Sequence, residues 1–312
     1  MRKIKIVGCG KAHGEKIVRF DDQVRYRLKE GQNLLDIIEP AVQDALKMAG
    51  MTLADIDCIV GGMATPLQPL PCNASLILER ISGNAYNIPT MDINTSCTSF
   101  VTALDVMASM IDTGRYHTVL LVSGDTASAA LNPNQKESYE LFSDAATAFI
   151  ITGCEEGEES GVLYAKQMTW PAGVHDTEIR GGGALLTAFH YNEDTKEDYY
   201  FDMKGKKVLG LSAKILPEYG EQCARESGIP FEELDHIFPH QASKALRLIM
   251  PRMGFKPGSY VDKVSQYGNM ISAAIPYIFC EAIENGEVHR GEKVLLVGTA
   301  AGLTVNYLVL QY

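Results

Sequence analysis

The sequence repeats a strand-and-loop pattern at nearly constant separation, and this internal duplication constrains the fold more than any other feature. ADIDCIVGGMATPL in the first part of the chain matches EELDHIFPHQASKAL in the second, and the two central aspartates, Asp57 and Asp235, lie 178 positions apart. HTVLLVSGDTAS and EKVLLVGTAAGLT form another matched pair in the same order, with Val119 and Val294 separated by 175 positions. Repeats that keep both order and spacing indicate two copies of one structural unit.

Each copy has the pattern of an α/β unit. Short apolar runs such as VLLV alternate with helical stretches such as LLDIIEPAVQDALKMAG, which is typical of parallel or mixed sheets covered by helices on both faces. We therefore predict an α/β protein with an N-terminal half at 1–160 and a C-terminal half at 161–312. The acidic, glycine-rich stretch GCEEGEESG between them predicts a surface connection.

The charge of the chain disfavours several classes of partner. Its net charge is −11, from 39 acidic and 28 basic residues, so neither nucleic acid nor an anionic membrane is expected as a general partner. No stretch approaches the roughly 18 apolar residues of a membrane span, and the first apolar run is too short for a signal peptide. We expect a cytoplasmic protein that binds neither nucleic acid nor membrane.

The seven cysteines are scattered and never occur in C-x-x-C spacing, which favours neither a metal site nor a disulfide framework. We predict no metal and no other cofactor. One cysteine, Cys97, stands between Thr95, Ser96, Thr98 and Ser99, which can cap a helix, and a segment with apolar residues at helical spacing. A helix N-terminus favours a thiolate over a thiol. Cys97 is therefore predicted as a nucleophile, with a small buried core residue as the alternative.

Two polar residues of the second copy occupy comparable places. His240, in FPHQAS, follows the apolar strand HIF, and Asn269, in SQYGNMISAAIP, stands where a short connection enters a helix. Because loops at corresponding positions of a duplicated pair face one another, we expect Cys97, His240 and Asn269 to converge. Such a set suits thioester chemistry, in which the thiolate takes an acyl group and the other two side chains stabilise an enolate or oxyanion.

The motifs around these residues resemble the ketoacyl-acyl carrier protein (ACP) synthase III group of the thiolase superfamily. The similar stretches, in order and spacing, are DINTSCTSF, FPHQAS, YGNMISAAIP and GEKVLLVGTAAGLTVNYLVL. The resemblance implies a thiolase-like fold in which two duplicated βαβαβ halves form a five-layer αβαβα sandwich, usually as a homodimer. It also implies an acyltransferase that performs decarboxylative Claisen condensation of an acyl primer with a malonyl-ACP.

The same resemblance implies a role for each matching residue. Cys97 would accept the acyl group as a thioester, and His240 and Asn269 would bind the malonyl thioester and stabilise its enolate. The backbone amides of Cys97 and Ala301 would form the oxyanion hole. The basic face that docks the acidic carrier protein would comprise Lys244, Arg247 and Arg252 in the helix after His240, with a solvated helix face as the alternative.

Three departures from the family bear on the substrate. Members clasp the adenine of coenzyme A with a Trp and an Arg near the first long helix, but here KAHGEKIVRFDDQVRYRLKEGQ fills that span and the only tryptophan, Trp170, lies elsewhere. This favours an ACP-bound acyl thioester over a coenzyme A thioester. PLQPLPCNAS replaces the loop that limits primer length across the dimer, with Leu70 as the predicted gate of the acyl pocket. FSDAATA and TAAG carry alanine or threonine where glycines are common. These departures predict a specialised fatty acid or polyketide pathway.

Two other functions fit the same fold. An acyltransferase could pass the acyl group from Cys97 to an oxygen or nitrogen nucleophile, forming an ester or amide without decarboxylation. Enzymes of that kind tend to carry an acid at the position of Asn269, because the third residue must then orient histidine as a base. A non-catalytic subunit could keep the fold and the dimer interface, but this sequence retains all three reactive residues. Condensation is therefore the expected function.

Overall fold

The structure of the protein is a computed structural model that describes residues 1–312. Its eight helices are α1 (Leu35–Ala49), α2 (Asn73–Ser82), α3 (Ser99–Asp112), α4 (Lys136–Tyr139), α5 (Gly205–Ser227), α6 (Leu246–Arg252), α7 (Val264–Tyr267) and α8 (Ala274–Glu284). Its strands are β1 (Arg2–His13), β2 (Lys16–Phe20), β3 (Gln23–Arg27), β4 (Cys58–Gly61), β5 (Thr90–Asp92), β6 (Thr118–Asp125), β7 (Ala145–Gly153), β8 (Gly161–Thr169), β9 (Thr177–Glu178), β10 (Asp202–Met203), β11 (His236–Pro239), β12 (Lys293–Ala300) and β13 (Thr304–Gln311). None of the helices has the length and hydrophobicity needed to span a membrane.

Nine strands form two half-sheets with the same internal pattern. The first has the order β5-β4-β6-β7-β1 and the second the order β11-β12-β13-β8, and the two are joined by a short pairing of β1 with β8. In each half a parallel pair, β4 with β6 or β11 with β12, is followed by two antiparallel pairings. The predicted duplication is therefore visible as a repeated strand order, and the division at 160 and 161 falls just before β8.

The repeated aspartates have the same role in both halves. The Asp57 carboxylate accepts the amides of His117 and Thr118 at 2.7 and 2.9 Å, next to the start of β6. The Asp235 carboxylate accepts the amide of Lys293 at 2.8 Å, at the start of β12. Each aspartate thus fixes the parallel strand pair of its own half, which explains why this residue type recurs in the two matched stretches.

The central helices α3 and α8 lie between the two half-sheets. Both contact strands of each half, and their apolar side chains belong to one buried cluster. Aromatic rings cross this layer: the Phe149 ring lies 4.9 Å from Phe100 and 5.9 Å from Phe279, and Phe279 lies 5.2 Å from Phe238. Burial of such rings is a major source of stability in a core. Both helices are apolar over most of their surface, since a half-sheet covers each of them on two opposite faces.

The remaining long helices cover the outer faces. Helices α1 and α2 pack on the first half-sheet, where Ile38, Ile59 and Ile77 are fully buried. Helices α5 and α6 pack on the second half-sheet through a separate apolar cluster that includes Leu216 and Met250. The order of layers is helix, sheet, helix, sheet, helix, as the family resemblance implies. Two segments lie outside these layers: the β2–β3 hairpin, and residues 170–204, which contain β9 and β10.

Candidate active site

A cavity of about 820 Å³ opens where loops of both halves meet. Cys97, His240 and Asn269, which the sequence predicts to converge, all line it. Its wall also includes the segments 64–69, 181–183 and 299–303. The turns that precede α3 and α8, Ser96–Thr98 and Ile271–Ala273, contact each other, which brings Cys97 close to the loop of Asn269.

Cys97 lies in a tight turn, Ser96–Thr98, immediately before α3. Ser96 adopts a left-handed φ of 54°, and its amide donates to Asn94 Oδ1 at 2.8 Å. The Ser99 hydroxyl accepts the Thr95 amide at 2.9 Å and donates to the Ser96 carbonyl at 2.6 Å. The polar residues around Cys97 therefore hold the turn that presents the thiol. The prediction that they cap α3 is wrong, since no side chain caps that helix.

The electrostatic setting of the thiol differs from the one predicted. Burial raises the pKa of the Cys97 thiol to about 11, and the nearby carboxylate of Asp125 acts in the same direction. The amide of Ala301 and the amide of Cys97 itself point at the sulfur and favour the thiolate, but their effect is smaller. The expected lowering of the Cys97 pKa by a helix N-terminus is therefore wrong, because burial raises the pKa more than the backbone amides lower it.

His240 follows β11 and is almost completely buried. Its amide donates to Val297 O at 2.8 Å on the neighbouring strand β12. Gly298 makes room for the side chain, since a Cβ at that position would lie 2.6 Å from His240 Cβ. Burial lowers the pKa of the imidazole to about 4, so the ring is neutral near pH 7. Its Nδ1 atom is buried without a hydrogen-bond partner, and the neutral ring can accept a proton at one nitrogen and donate from the other.

Hydrogen bonds hold both the backbone and the side chain of Asn269. Its amide donates to Leu141 O at 2.9 Å, and its carbonyl accepts the Ser143 amide at 3.0 Å. The side-chain Oδ1 accepts the Ile271 amide at 2.8 Å, and Nδ2 donates to Ala242 O at 3.3 Å. These contacts define which side-chain atom is oxygen and which is nitrogen. One N–H of Nδ2 remains free to donate to a ligand in the cavity.

The turn between β12 and β13 forms the wall opposite the nucleophile. It contains Ala301, whose N–H points at the Cys97 sulfur. Gly302 and Leu303 follow with left-handed φ angles of 83° and 46°. The turn thus brings a backbone donor to the sulfur, as an oxyanion site beside Cys97 requires.

Sequence analysis missed one residue behind the cavity, Asp125 at the end of β6. The carboxylate is fully buried and accepts hydrogen bonds from the amide and hydroxyl of Thr65 and from the amide and hydroxyl of Ser272. Burial raises the pKa of Asp125. Thr65 belongs to the cavity wall, and Ser272 lies three residues after Asn269. The only signal in the sequence was a single acid after VLLVSG, which does not reveal burial.

The structure separates the predicted docking residues. Only Arg247 and Arg252 belong to α6, whereas Lys244 lies in the turn before it, so its predicted place in the helix is wrong. The turn arises because Ser243 Oγ accepts the Ala245 amide at 3.1 Å. All three basic residues are exposed. Lys244 Nζ lies 3.5 Å from Asp22, and Arg247 Nε donates to Asp262 at 2.5 Å.

The predicted gate residue does not line the cavity of its own chain. Leu70 is 83% exposed, while its neighbours Leu67, Gln68 and Pro69 form part of the cavity wall. A gate at Leu70 therefore requires that the side chain reach the cavity of a second copy. The role of Leu70 stays a prediction.

Comparison with known proteins connects both halves of this site to one family. The family model described as 3-oxoacyl-[acyl-carrier-protein (ACP)] synthase III matches residues 91–169, which include Cys97. The model described as the C-terminal part of the same enzyme matches residues 224–312, which include His240 and Asn269. The matches thus cover the turn of the thiol and the loops that face it.

Individual relatives align over nearly the full chain. Beta-ketoacyl-[acyl-carrier-protein] synthase III of Xanthomonas axonopodis pv. citri is 30% identical, and the alignment covers 99% of this chain and 98% of the relative. The Clostridium perfringens protein of the same name is 28% identical, with 97% and 98% covered. The crystal structure of 3-oxoacyl-[acyl-carrier-protein] synthase III from Aquifex aeolicus VF5 superimposes with a TM-score of 0.85 at 22% identity, over 99% of this chain and 100% of that one. The predicted thiolase-like fold is confirmed.

Proposed function

Because the chain belongs to the 3-oxoacyl-[acyl-carrier-protein] synthase III family of acyltransferases, we propose that it condenses an acyl group held on Cys97 with a malonyl thioester carried by ACP. The observation that carries this proposal is the convergence of Cys97, His240, Asn269 and the Ala301 amide on one cavity. Such a condensation needs four groups: a thiol, a neutral imidazole, a free amide N–H and a backbone donor.

The first half-reaction transfers the acyl group to the enzyme. The Cys97 sulfur attacks the thioester carbonyl of the donor, and its proton passes through the neutral imidazole of His240 to the departing donor sulfur. The amides of Cys97 and Ala301 stabilise the resulting oxyanion. The bond from the carbonyl carbon to the donor sulfur then breaks, and the donor thiol leaves with the proton. The high pKa of the free thiol means that the thiolate forms when the proton is transferred rather than in the resting enzyme.

The second half-reaction forms the new carbon–carbon bond. The malonyl thioester loses CO₂, and the electron pair becomes an enolate whose oxygen accepts hydrogen bonds from His240 and from Nδ2 of Asn269. The enolate carbon attacks the acyl-Cys97 carbonyl, the carbon–sulfur bond breaks, and the thiolate is released. The low pKa of His240 fits this role, because a neutral donor stabilises the enolate without protonating it.

The nature of the donor is inferred from the β2–β3 hairpin. Both arginines of β3 are engaged inside the protein: Arg25 is buried, and the Arg27 guanidinium lies 4.7 Å from the Tyr139 ring. Trp170 packs edge-on against Tyr219, with ring centroids 5.4 Å apart, in the second half. These residues supply no clasp for a nucleotide, which supports an ACP-bound acyl donor. An acyl carrier protein would dock on Lys244, Arg247 and Arg252.

The acyl chain and the assembly belong to the same proposal. The protein acts as a homodimer in which the exposed Leu70 of one copy gates the acyl cavity of the other, and Ala300 and Ala301 narrow the wall beside the nucleophile. The cavity of about 820 Å³ would hold the acyl group together with the thioester arm that delivers it, and we propose a medium or long acyl chain. This supports a specialised fatty acid or polyketide pathway.

Mass spectrometry and CO₂ release test the proposal together. After incubation with acetyl, octanoyl and dodecanoyl thioesters of ACP and of coenzyme A, an acyl adduct is expected on Cys97 and absent in Cys97→Ala. Addition of malonyl-ACP should then release CO₂ and a β-ketoacyl-ACP. An adduct that moves to an alcohol or amine without CO₂ release would favour the ester- or amide-forming alternative. No adduct from any donor, or full activity of Cys97→Ala, would overturn the proposal.

A further inference from the structure

Arg25 is an unusual residue for the interior of this protein. It lies in β3, is fully buried, and forms no ion pair with any carboxylate. Burial and the neighbouring Arg27 lower the pKa of the guanidinium to about 10, so the group stays charged near pH 7. A buried charge without an ionic partner is costly unless its hydrogen bonds are satisfied. The positions of those hydrogen bonds therefore show what the residue does.

The guanidinium donates to two segments that meet at Asn269. Its Nε atom donates to Glu140 O at 2.8 Å, next to the loop 141–144. Its Nη1 atom donates to Val264 O and Ser265 O at 3.2 and 3.4 Å, in the helix α7 that ends one residue before Gly268. The remaining contacts stay within the hairpin and go to Val24 O at 2.6 Å and Gln23 Oε1 at 2.5 Å.

One of these segments, the loop 141–144, holds Asn269 directly, and the other, α7, leads into Asn269 through Gly268. The Asn269 amide donates to Leu141 O, and the Ser143 amide donates to Asn269 O. Strand β3 also reaches this loop through the backbone: the Tyr26 amide donates to Ser143 Oγ at 3.0 Å, and the Asp144 amide donates to Tyr26 O at 2.7 Å. The hairpin, the loop 141–144 and the loop of Asn269 thus form one hydrogen-bonded unit.

Arg25 also packs against Gly268, the residue that precedes Asn269. Gly268 has a left-handed φ of 71°, and a Cβ there would lie 2.6 Å from both Cδ and Nε of Arg25. The Arg25 stem therefore rests against the backbone that presents Asn269. A lysine could not reproduce this arrangement, because the carbonyls of Glu140 and Val264 are reached from different nitrogens of the guanidinium, whereas all donors of a lysine lie on one nitrogen.

We propose that Arg25 is a positioning residue for the condensation half-reaction: it clamps the Asn269 loop in the orientation that aims Nδ2 at the enolate. The inference rests on the proposed function for the meaning of that orientation. Cys97 is held by a different set of contacts, within residues 94–99 and to Met63 O. Loss of the clamp should therefore affect decarboxylation and leave the nucleophile intact.

The first test compares the two reactive groups in Arg25→Lys, which keeps the charge without the fork, and Arg25→Met, which keeps neither. CO₂ release from malonyl-ACP reports on Asn269, and alkylation by iodoacetamide reports on Cys97. CO₂ release should fall about 100-fold in both variants, because a small displacement of a catalytic group costs about that much. The alkylation rate of Cys97 should not change. Arg19→Met, which removes an exposed arginine from β2, is the matched control and should alter neither rate.

Hydrogen exchange gives a readout that does not need activity. In Arg25→Lys, amide exchange should accelerate about tenfold in 140–144 and 264–273, because these segments lose their shared clamp. Residues 94–112, around Cys97, should keep the exchange rates of the wild type. Wild-type exchange in 264–273, or equal acceleration in 94–112, would overturn the inference. If the wild type releases no CO₂ from malonyl-ACP, the proposed function fails, while the exchange pattern still decides the role of Arg25. If Arg25→Met does not fold, Arg25→Lys decides alone.

Discussion

Asp125 and Ser272 join the two halves of the molecule directly behind the active site. One oxygen of the Asp125 carboxylate accepts both the amide of Ser272, at 3.1 Å, and its hydroxyl, at 2.5 Å. The other oxygen accepts the amide and hydroxyl of Thr65, at 2.9 and 2.7 Å. A single buried side chain therefore connects the cavity wall of the first half to the loop that carries Asn269 in the second.

Asp125→Asn should weaken this connection and lower the pKa of the Cys97 thiol. An amide places an N–H against groups that already donate, so we expect a loss of about 2–4 kcal/mol in the free energy of unfolding. The pKa of Cys97 should fall, because the Asp125 carboxylate helps to raise it. Urea denaturation measures the first effect. The pH dependence of iodoacetamide alkylation measures the second, as a downward shift of an inflection that we expect near pH 11 in the wild type.

Asp92→Asn is the control for that experiment. Asp92 accepts the amides of Asn73 and Ala74 at the start of α2, so its replacement should also reduce stability. It should leave the alkylation inflection in place. If the inflection in Asp125→Asn is unmoved while Asp92→Asn behaves as expected, the assigned effect of Asp125 on the thiol is wrong.

His240 should make the protein sensitive to mild acid. Its folded pKa of about 4 lies below the ordinary value of 6.5, so between these values the unfolded chain binds a proton that the folded protein does not. Stability is therefore fully present above pH 6.5 and falls as the pH approaches 4, by about 3 kcal/mol. Urea denaturation between pH 7.5 and 4 should show this loss. His240→Gln should show a smaller decrease over the same range, and an equal decrease would contradict the assignment.

Gly298→Ala should displace the imidazole of His240, and the added Cβ would also lie 3.3 Å from Thr98 Cγ2 in the turn of the thiol. The new Cβ would lie 2.6 Å from His240 Cβ and 3.2 Å from Ile275 Cδ1, so the side chains must shift, at about 1–3 kcal/mol of stability. We expect CO₂ release from malonyl-ACP to fall about 100-fold. The matched control is Gly153→Ala, since a Cβ at Gly153 meets only Ile111 Cγ2, at 3.6 Å. A Gly298→Ala enzyme with wild-type CO₂ release would show that the close contact does not constrain His240.

Charge reversal tests the predicted docking surface. Each single reversal should raise the KM for malonyl-ACP about tenfold, because the basic residues attract an acidic carrier. The three variants are Lys244→Glu, Arg247→Glu and Arg252→Glu. The KM for a malonyl thioester of pantetheine should not change, since that substrate has no protein surface to dock. Arg252 forms no ion pair with an acid of this chain, unlike Lys244 and Arg247. The effect of Arg252→Glu on the KM should therefore come from carrier docking alone and not from the loss of an internal ion pair. Lys47→Glu, on the far end of α1, is the control.

The features that sequence analysis predicted correctly depend on local pattern or on repetition. Asp57 and Asp235 were found because the same short-range hydrogen bonds are needed twice, at matched positions. The convergence of Cys97, His240 and Asn269 follows from the same repetition, since the two halves place equivalent loops at one end of the central layer. Local patterns and repeats can both be read directly from the order of residues along the chain.

The features that were missed depend on burial and on partners distant in sequence. Asp125 and Arg25 are ordinary charged residues in the sequence, and nothing nearby indicates that each is fully buried. The direction of the shift in the Cys97 pKa was wrong for the same reason. A helix N-terminus is visible in the sequence, whereas the loss of water around the thiol depends on the residues 299–303 at the other end of the chain.

The position of α3 and α8 also determines when the core of the protein can be covered during its synthesis. Each helix needs both half-sheets to cover it, and α8 is made almost last, at residues 274–284. A nascent chain that has left the ribosome only as far as β7 therefore exposes the apolar face of α3 and has a thiol without partners. Until the last strands have emerged, the incomplete chain therefore presents an apolar surface that chaperones recognise.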